Sequence, residues 1–223
     1  MRHSLVKLPE PGFDTRKFDP RAGVFGGVVL DYAAPLGEEI VGQMAYRFRL
    51  EKTDPTAAKS PVKKPIVFYV DRAAPEPIRT ALKEGASWWA QAFEAAGYLD
   101  AYRVEILPEG STPGRPLQRH QLGGPRHPGL VGGSVGEGPA HRRDPQGQRA
   151  AGRLRVRQDM LIFEGLVGAD KDGTGGPNDP VQVSLSRLRQ LAAHEVGHSL
   201  GFAHNFAGST QDRASVMDYP APA

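Results

Sequence analysis

The chain has 223 residues, enough to bury a hydrophobic core, and it contains no cysteine. Disulfides and thiolate ligands are therefore excluded, so any metal must be bound by histidine or carboxylate side chains. The net charge of +3 is uneven: residues 111–157 hold nine arginines against two acids, a balance of +7, which leaves the remainder at −4. This distribution argues against a nucleic-acid partner, and no stretch is apolar enough for a membrane segment.

The first part of the chain is predicted to contain one strand and a domain boundary. Residues 1–39 are rich in proline, glycine and charge, which favours irregular structure. Residues 43–51 alternate between apolar and polar side chains and predict a half-buried strand. Residues 52–64 predict an exposed linker, and the sequence places the boundary between two domains there.

A strand, a long helix and a second strand are predicted next. The apolar run at residues 66–70 is typical of a buried strand. Residues 77–96 carry apolar side chains at helical spacing, with Pro77 in the first turn and Gly97 as the stop. Residues 102–107 alternate again and predict the second strand. We expect the aromatic side chains of the helix to pack in the core.

Residues 111–150 match no regular pattern. Of these 40 residues, 24 are Gly, Pro, Arg or His, and Lys, Ile, Met, Phe, Tyr and Trp are absent. The composition predicts neither a strand nor a helix, and it is also typical of a disordered insertion. Histidines without regular spacing in such a segment are expected to be solvated rather than metal-bound. They are His120, His127 and His141.

Regular structure is predicted to return after Arg153. Apolar residues within 154–163 predict a strand that leads into a helix, or the reverse order. Residues 170–180 predict a loop. The polar residues of this loop match the first positions of a calcium loop, but Val181 stands where a glutamate would supply two oxygens. A solvated turn is therefore the favoured interpretation.

The motif that carries chemistry is HEVGHSLGFAH, which begins at His194. Residues 185–200 predict a helix, on which His194 and His198 leave the same face one turn apart and can bind one metal ion. Glu195 lies beside them as the general base that a metalloprotease needs to deprotonate a water molecule.

The end of this motif predicts a third ligand. Gly201 can adopt a positive φ without steric cost, so the chain can leave the helix there. His204 can then return to the same ion. Three protein ligands leave the fourth position of a tetrahedral zinc open, which is typical of catalytic rather than structural sites.

Met217 follows this motif, in the sequence SVMDYP. The pattern HExxHxxGxxH with a downstream methionine resembles the metzincin clan of zinc endopeptidases. The resemblance implies an α+β fold with a mixed twisted sheet, a backing helix and an active-site helix. It also implies that Met217 lies in a tight turn beneath the ligands, and that the Tyr219 phenol approaches the metal and stabilises the tetrahedral intermediate.

Longer segments resemble a family of large bacterial zinc-dependent metalloproteases, which carry a long uncharacterised region before the metzincin domain. They include KPIVFYVDRAAPEPIRTALKEGASWWAQAFEAAGY and RQLAAHEVGHSLGFAHNF. This resemblance implies that residues 1–60 are the tail of the upstream region with a linker, and that residues 61–223 are the catalytic domain, truncated after the Met turn. It further implies one catalytic Zn²⁺, a polypeptide substrate and an extracellular or periplasmic location.

Two other functions remain open from the sequence. A catalytically silent zinc-binding fragment or pseudoenzyme is favoured by the irregular segment and by the end of the chain just past Met217. A zinc hydrolase that acts on a non-protein amide is also compatible, because the motif sets the chemistry of attack and says little about the substrate.

A paired frameshift would explain residues 111–152. Back-translated with permitted codons and shifted by one nucleotide, residues 115–123 become VRYNVINWV and residues 141–152 become TGEILKGNVRL. Both products are strand-like and are similar to the substrate-edge strands of the resembling family. We therefore predict that the DNA across codons 108–156 encodes a strand-like peptide in one shifted frame. Sequencing that DNA checks the prediction, and the hypothesis is wrong if no single-base shift restores such a peptide.

Overall fold

The computed structural model describes residues 15–109, 119–122, 153–212 and 214–219, with only the backbone described at 119–122 and 153–156. The fold is α+β, which confirms the fold class predicted from the sequence. The strands are β1 (Gly26–Leu30), β2 (Val41–Ala45), β3 (Ser60–Pro61), β4 (Ile66–Val70), β5 (Tyr98–Leu99), β6 (Tyr102–Ile106) and β7 (Arg119–Leu122). The helices are α1 (Ile78–Ser87), α2 (Trp89–Ala95), α3 (Arg153–Val167) and α4 (Pro180–Leu200), with short 3-10 helices at Pro20–Ala22, Ala169–Lys171 and Phe206–Gln211. None of the helices in these ranges has both the length and the hydrophobicity to cross a bilayer.

The central sheet has the strand order β6-β4-β7, and its strands are parallel. β4 lies in the middle, so Val67 pairs with Arg103 on one side and with Arg119 on the other. Phe68 and Val70 of β4 are fully buried, as expected for a central parallel strand. Both strands that the sequence predicts here are confirmed, as β4 and β6.

The sequence predicts one long helix before Gly97, but the structure divides it at Trp88. The Trp88 N–H donates to the carbonyl of Gly85, three residues earlier, which makes a tighter turn than an α-helix. The break turns the next side chain toward α4, where the Trp89 indole N–H donates to the carbonyl of Ala193 at 2.7 Å. Gly97 has φ 86° and follows the second helix, as the sequence predicts.

Helix α4 begins at Pro180, earlier than the apolar pattern from Leu185 predicts. The Asp179 carboxylate caps the helix, because it accepts hydrogen bonds from the N–H groups of Val181 at 2.9 Å and Gly175 at 2.8 Å. These bonds, that of Gly175 first, hold the pKa of Asp179 below its usual value. Apolar spacing does not reveal this start, because the residue that caps the helix is polar.

One face of α4 forms the core together with β4, β6 and α1. Its buried side chains recur three or four positions apart, which is the spacing of a single helical stripe. Burial of one leucine side chain of this kind stabilises the fold by about 1.5–3 kcal/mol. The stripe consists of Leu185, Leu188, Ala192, Val196 and Leu200.

Strands β1 and β2 form an antiparallel pair outside the central sheet. The strand predicted at residues 43–51 is wrong in its second half, because β2 ends at Ala45 and the residues after it are irregular. The Tyr46 N–H still donates to the carbonyl of Phe25, but the Tyr46 carbonyl lies beside Gly201 at the end of α4. After β2 the chain therefore packs on the end of α4 instead of continuing as a strand.

Residues 52–64 are exposed over most of their length, as predicted, but they do not form a free linker. Strand β3 pairs in parallel with β5, and Ser60 is 2% exposed. The Lys52 ammonium donates to the carbonyls of Ala57 and Ala58 at 3.0 and 2.7 Å, which closes the segment into a loop. A domain boundary at this position stays a prediction.

The arginine-rich segment, residues 111–157, contains strand β7. Strand β7 pairs in parallel with β4, so the expectation that no strand forms there is wrong at these residues. Strand pairing uses backbone groups, which side-chain composition does not reveal. At His120 only the backbone is described. His127 and His141 lie outside the described residues, as does the rest of 111–152 apart from β7. The frameshift hypothesis stays a prediction.

Residues 154–163 are helical, as part of α3, so the strand predicted in this stretch is wrong. A short apolar run fits a strand as well as a helix, and periodicity alone does not separate them. In the loop that follows, Asp170 and Asp172 are exposed, and the Thr174 hydroxyl donates to the carbonyl of Lys171 at 2.7 Å. This arrangement agrees with a solvated turn.

Gly85 marks a close approach of α1 to α4, because a Cβ atom there would lie 2.1 Å from the carbonyl oxygen of Arg189. We predict that Gly85→Ala lowers the free energy of unfolding by about 1–3 kcal/mol, since the two helix backbones must separate. Urea unfolding measures this difference.

The matched control is Gly165→Ala on α3, where a Cβ atom meets no described atom within 4 Å. This variant should be as stable as the wild type or slightly more stable, because alanine favours a helix. A Gly85→Ala variant as stable as the wild type would contradict the close packing.

Candidate metal centre

The last turns of α4 bring the first two histidines of the motif together. His194 is buried and His198 is half-buried, and their ring centroids lie 4.6 Å apart. Gly201 has φ 104° and ends the helix, as the sequence predicts. The chain then turns back, so that nitrogen atoms of His194, His198 and His204 all lie within 4.8 Å of one another. In the described ranges, this is the only such group of three or more His, Cys, Asp or Glu side chains.

Backbone carbonyls orient the two helical imidazoles. His194 Nδ1 lies 2.7 Å from the carbonyl oxygen of Val216, and His198 Nδ1 lies 2.8 Å from that of Phe202. A carbonyl only accepts hydrogen bonds, so each Nδ1 carries the proton and each Nε2 keeps a free lone pair. Metal-binding histidines usually donate the N–H of their second ring nitrogen to a carbonyl or a carboxylate in this way.

The donor atoms fit a divalent metal such as zinc. His198 Nε2 and His204 Nε2 are 3.1 Å apart, so two nitrogen atoms that can accept a cation face each other. Burial lowers the pKa of His198, followed by the charges of His194 and His204, which favours the neutral form that binds metal. Three neutral imidazoles are a ligand set that catalytic zinc uses.

Met217 packs against α4 at Gly197. It is 5% exposed, and its sulfur lies so close to Gly197 that a Cβ atom on this glycine would be 2.2 Å away. The Trp89 ring reaches the same position, at 2.6 Å from such a Cβ atom. The absence of a side chain at Gly197 therefore leaves room for both the Met217 side chain and the Trp89 ring on α4. Sequence reasoning did not identify this glycine, although it is the G of HEVGH.

The other two predicted residues lie at the edge of the group. Glu195 is half-buried on α4, and its charge acts on His198, whose pKa it raises against the effect of burial. The Tyr219 hydroxyl lies 2.9 Å from His204 Nε2, and the Tyr219 side chain is 64% exposed. Its ring centroid lies 5.4 Å from that of His194. The carboxylate therefore interacts with His198, and the phenol contacts His204 and His194.

Asp218 is a contributor that the sequence analysis missed. It is 5% exposed, and its carboxylate accepts hydrogen bonds from the Ser209 hydroxyl and from the Tyr219 N–H, the latter at 2.8 Å. These bonds, that of Ser209 first, hold the pKa of Asp218 below its usual value. The carboxylate thereby joins the 3-10 helix after His204 to the turn that carries Met217. Its position inside SVMDYP was the available signal.

Two family models match parts of the chain. Residues 176–223 match a family described as Met-zincin, and residues 1–53 match a family described as a domain of unknown function. No curated protein and no solved structure matches the chain. The Met-zincin match and the three-histidine group together support a metzincin-like zinc protease domain in the C-terminal part.

We predict about one zinc ion per wild-type chain and almost none in His198→Ala, because two remaining imidazoles bind the ion far more weakly. Elemental analysis of the purified chains measures the stoichiometry.

His141→Ala is the matched control, since the sequence predicts that this histidine is solvated. It should retain the zinc of the wild type. Full zinc content in His198→Ala would show that the ion is bound elsewhere.

Proposed function

We propose that this chain is a zinc-dependent endopeptidase of the metzincin type. The observation that carries the proposal is the three-histidine group, whose helical members already have their Nδ1 atoms bonded to backbone carbonyls. The Met-zincin match over residues 176–223 supports peptide bonds as the substrate class. A polypeptide substrate and an extracellular or periplasmic location are parts of this proposal.

His194, His198 and His204 would hold the zinc ion. Zinc in such a site acidifies a water molecule toward a pKa of about 7 and polarises the scissile carbonyl. The Nδ1 bonds to Val216 and Phe202 keep the two helical rings in their orientation. Little reorganisation of the protein is then needed when the metal binds.

Glu195 acts as the general base. It follows the first histidine on α4, so its carboxylate lies at the same end of the helix as the ligand nitrogens. In the reaction it accepts the proton of the attacking water and then transfers that proton to the leaving amine. The products are a new carboxylate and a free amine, and Glu195 is regenerated.

Tyr219 donates to the oxyanion of the reacting carbonyl. In the structure its hydroxyl is bonded to His204 Nε2 at 2.9 Å. One lone pair cannot serve both the phenol and a metal, so the hydroxyl would be free for the substrate when His204 Nε2 holds the ion. Because the side chain is 64% exposed, it is accessible to an incoming peptide.

A catalytically silent zinc-binding chain is the second candidate. The observation that favours it is β7, a sheet strand that lies inside the arginine-rich segment. Under the frameshift hypothesis this strand carries a changed sequence. Such a change would affect the sheet edge on which an extended peptide docks, while the histidine group would remain intact. Zinc binding without peptide cleavage would identify this second function.

We predict that Glu195→Gln keeps about one zinc per chain and lowers the turnover of a denatured protein substrate by roughly 10³-fold, because the amide cannot accept a proton. Cleavage is followed by gel and mass spectrometry, with and without a chelator.

Glu94→Gln is the matched control, because Glu94 is exposed on α2 and contributes no side chain to the metal centre. It should be as active as the wild type. Turnover by Glu195→Gln at the wild-type rate would remove this residue from the role. A zinc-loaded wild type without chelator-sensitive cleavage would contradict the endopeptidase proposal.

A further inference from the structure

The upstream part of the chain reaches the metal centre. Residues 23–25 run antiparallel to the loop that follows α4. The Phe25 N–H donates to the carbonyl of Gly201 at 2.7 Å, and the Ala203 N–H donates to the carbonyl of Gly23 at 2.9 Å. The third histidine of the motif directly follows this pairing. A segment far away in sequence therefore holds the turn that returns this histidine to the other two.

The Phe25 side chain contacts a histidine of the group. Its ring centroid lies 5.6 Å from that of His198, with the two planes tilted by 37°. The backbone of Phe25 is held on both sides, because its N–H bonds to Gly201 and its carbonyl accepts the Tyr46 N–H at 2.8 Å. The direction of the ring is thereby restricted. Phe25 forms a half-buried apolar wall beside the His198 imidazole.

The same pairing holds the acceptor of His198. The Phe202 carbonyl accepts from His198 Nδ1, and the Phe202 N–H donates to the carbonyl of Gly197 at 3.0 Å. Phe202 also forms an antiparallel bridge with Val24, and its ring stacks on Trp89 with centroids 5.0 Å apart. Residues 23–25 therefore support both the aromatic ring beside His198 and the carbonyl that accepts its hydrogen bond.

We propose that residues 23–25 position the metal centre through their pairing with the loop after α4, and that Phe25 is the positioning residue for His198. The proposal rests on the proposed function, since it takes zinc as the ion at the histidine group. An imidazole whose ring and Nδ1 acceptor are both restrained loses less freedom when it binds the metal, so its affinity is higher. By reciprocity, zinc binding stabilises the pairing of residues 23–25 with the loop after α4.

The experiment compares zinc affinity among full-length variants by competition with a chromophoric chelator. Phe25→Ala is expected to bind zinc about tenfold more weakly than the wild type, as is typical when an outer contact of a ligand is lost. Phe25→Leu keeps an apolar side chain and should recover part of the loss.

The matched control is Phe18→Ala, in the same upstream part of the chain. The Phe18 ring packs on Gly26, and its N–H donates to the carbonyl of Gln43 at 2.9 Å, a backbone bond that alanine keeps. The Phe18 side chain takes no part in the hydrogen bonds that pair residues 23–25 with the loop after α4. Zinc affinity within about twofold of the wild type is expected for this control, because it leaves the contacts of His198 in place. Unchanged affinity in Phe25→Ala, or an equal loss in Phe18→Ala, would overturn the proposal.

A second measurement separates this proposal from the proposed function. In the metal-free chain, hydrogen–deuterium exchange of the peptide that contains Ala203 should be faster in Phe25→Ala than in the wild type and in Phe18→Ala. If no variant binds zinc, the proposed function fails, and the exchange alone decides. Faster exchange only in Phe25→Ala supports the positioning role, and exchange equal in the three chains overturns it.

Discussion

The contact between Gly197 and the Met217 side chain is the constraint on which the metal centre depends. Because glycine has no Cβ atom, the methionine sulfur and the Trp89 ring can both approach the backbone of α4. This approach brings the Val216 carbonyl to 2.7 Å from His194 Nδ1. A larger side chain at the glycine would displace the Met217 side chain and the Trp89 ring from α4. The turn at Val216 and Met217 therefore supplies both the close packing on α4 and the acceptor of His194.

Helix α4 and two later segments form the histidine group. The helix supplies two imidazoles, the loop after Gly201 supplies His204 and the Phe202 carbonyl, and the turn at Met217 supplies the Val216 carbonyl. The two helical imidazoles are oriented by backbone carbonyls, and His204 is bonded to the Tyr219 hydroxyl. A backbone acceptor adds no formal charge, so the negative charges that act on these histidines are the carboxylates of Glu195, on His198, and Asp218, on His204.

The upstream segment and the linker residues are continuous with the folded part that contains the metal centre. Residues 23–25 pair with the loop after α4, and β3 pairs with β5. Both the upstream segment and residues 52–64 are therefore hydrogen-bonded to later parts of the chain. A displacement of residues 23–25 would therefore act on His198 through the Phe25 ring and the Phe202 peptide. Packed elements of this kind transmit displacement because their interiors have little free volume.

The sequence by itself determined the elements whose signals are local. Helical spacing placed His194 and His198 on one face, Gly201 ended the helix, and apolar periodicity identified β4 and β6. Side-chain type and spacing along one element are sufficient for such features. Predictions failed where local patterns were ambiguous, as in α3, and where backbone pairing decided the structure, as in β7.

Only the tertiary structure decided the division of the long helix, the docking of Phe25 and the choice of carbonyl acceptors. These features join residues that are far apart in sequence, and a carbonyl group is present in every residue, so no residue type marks the ones that are used.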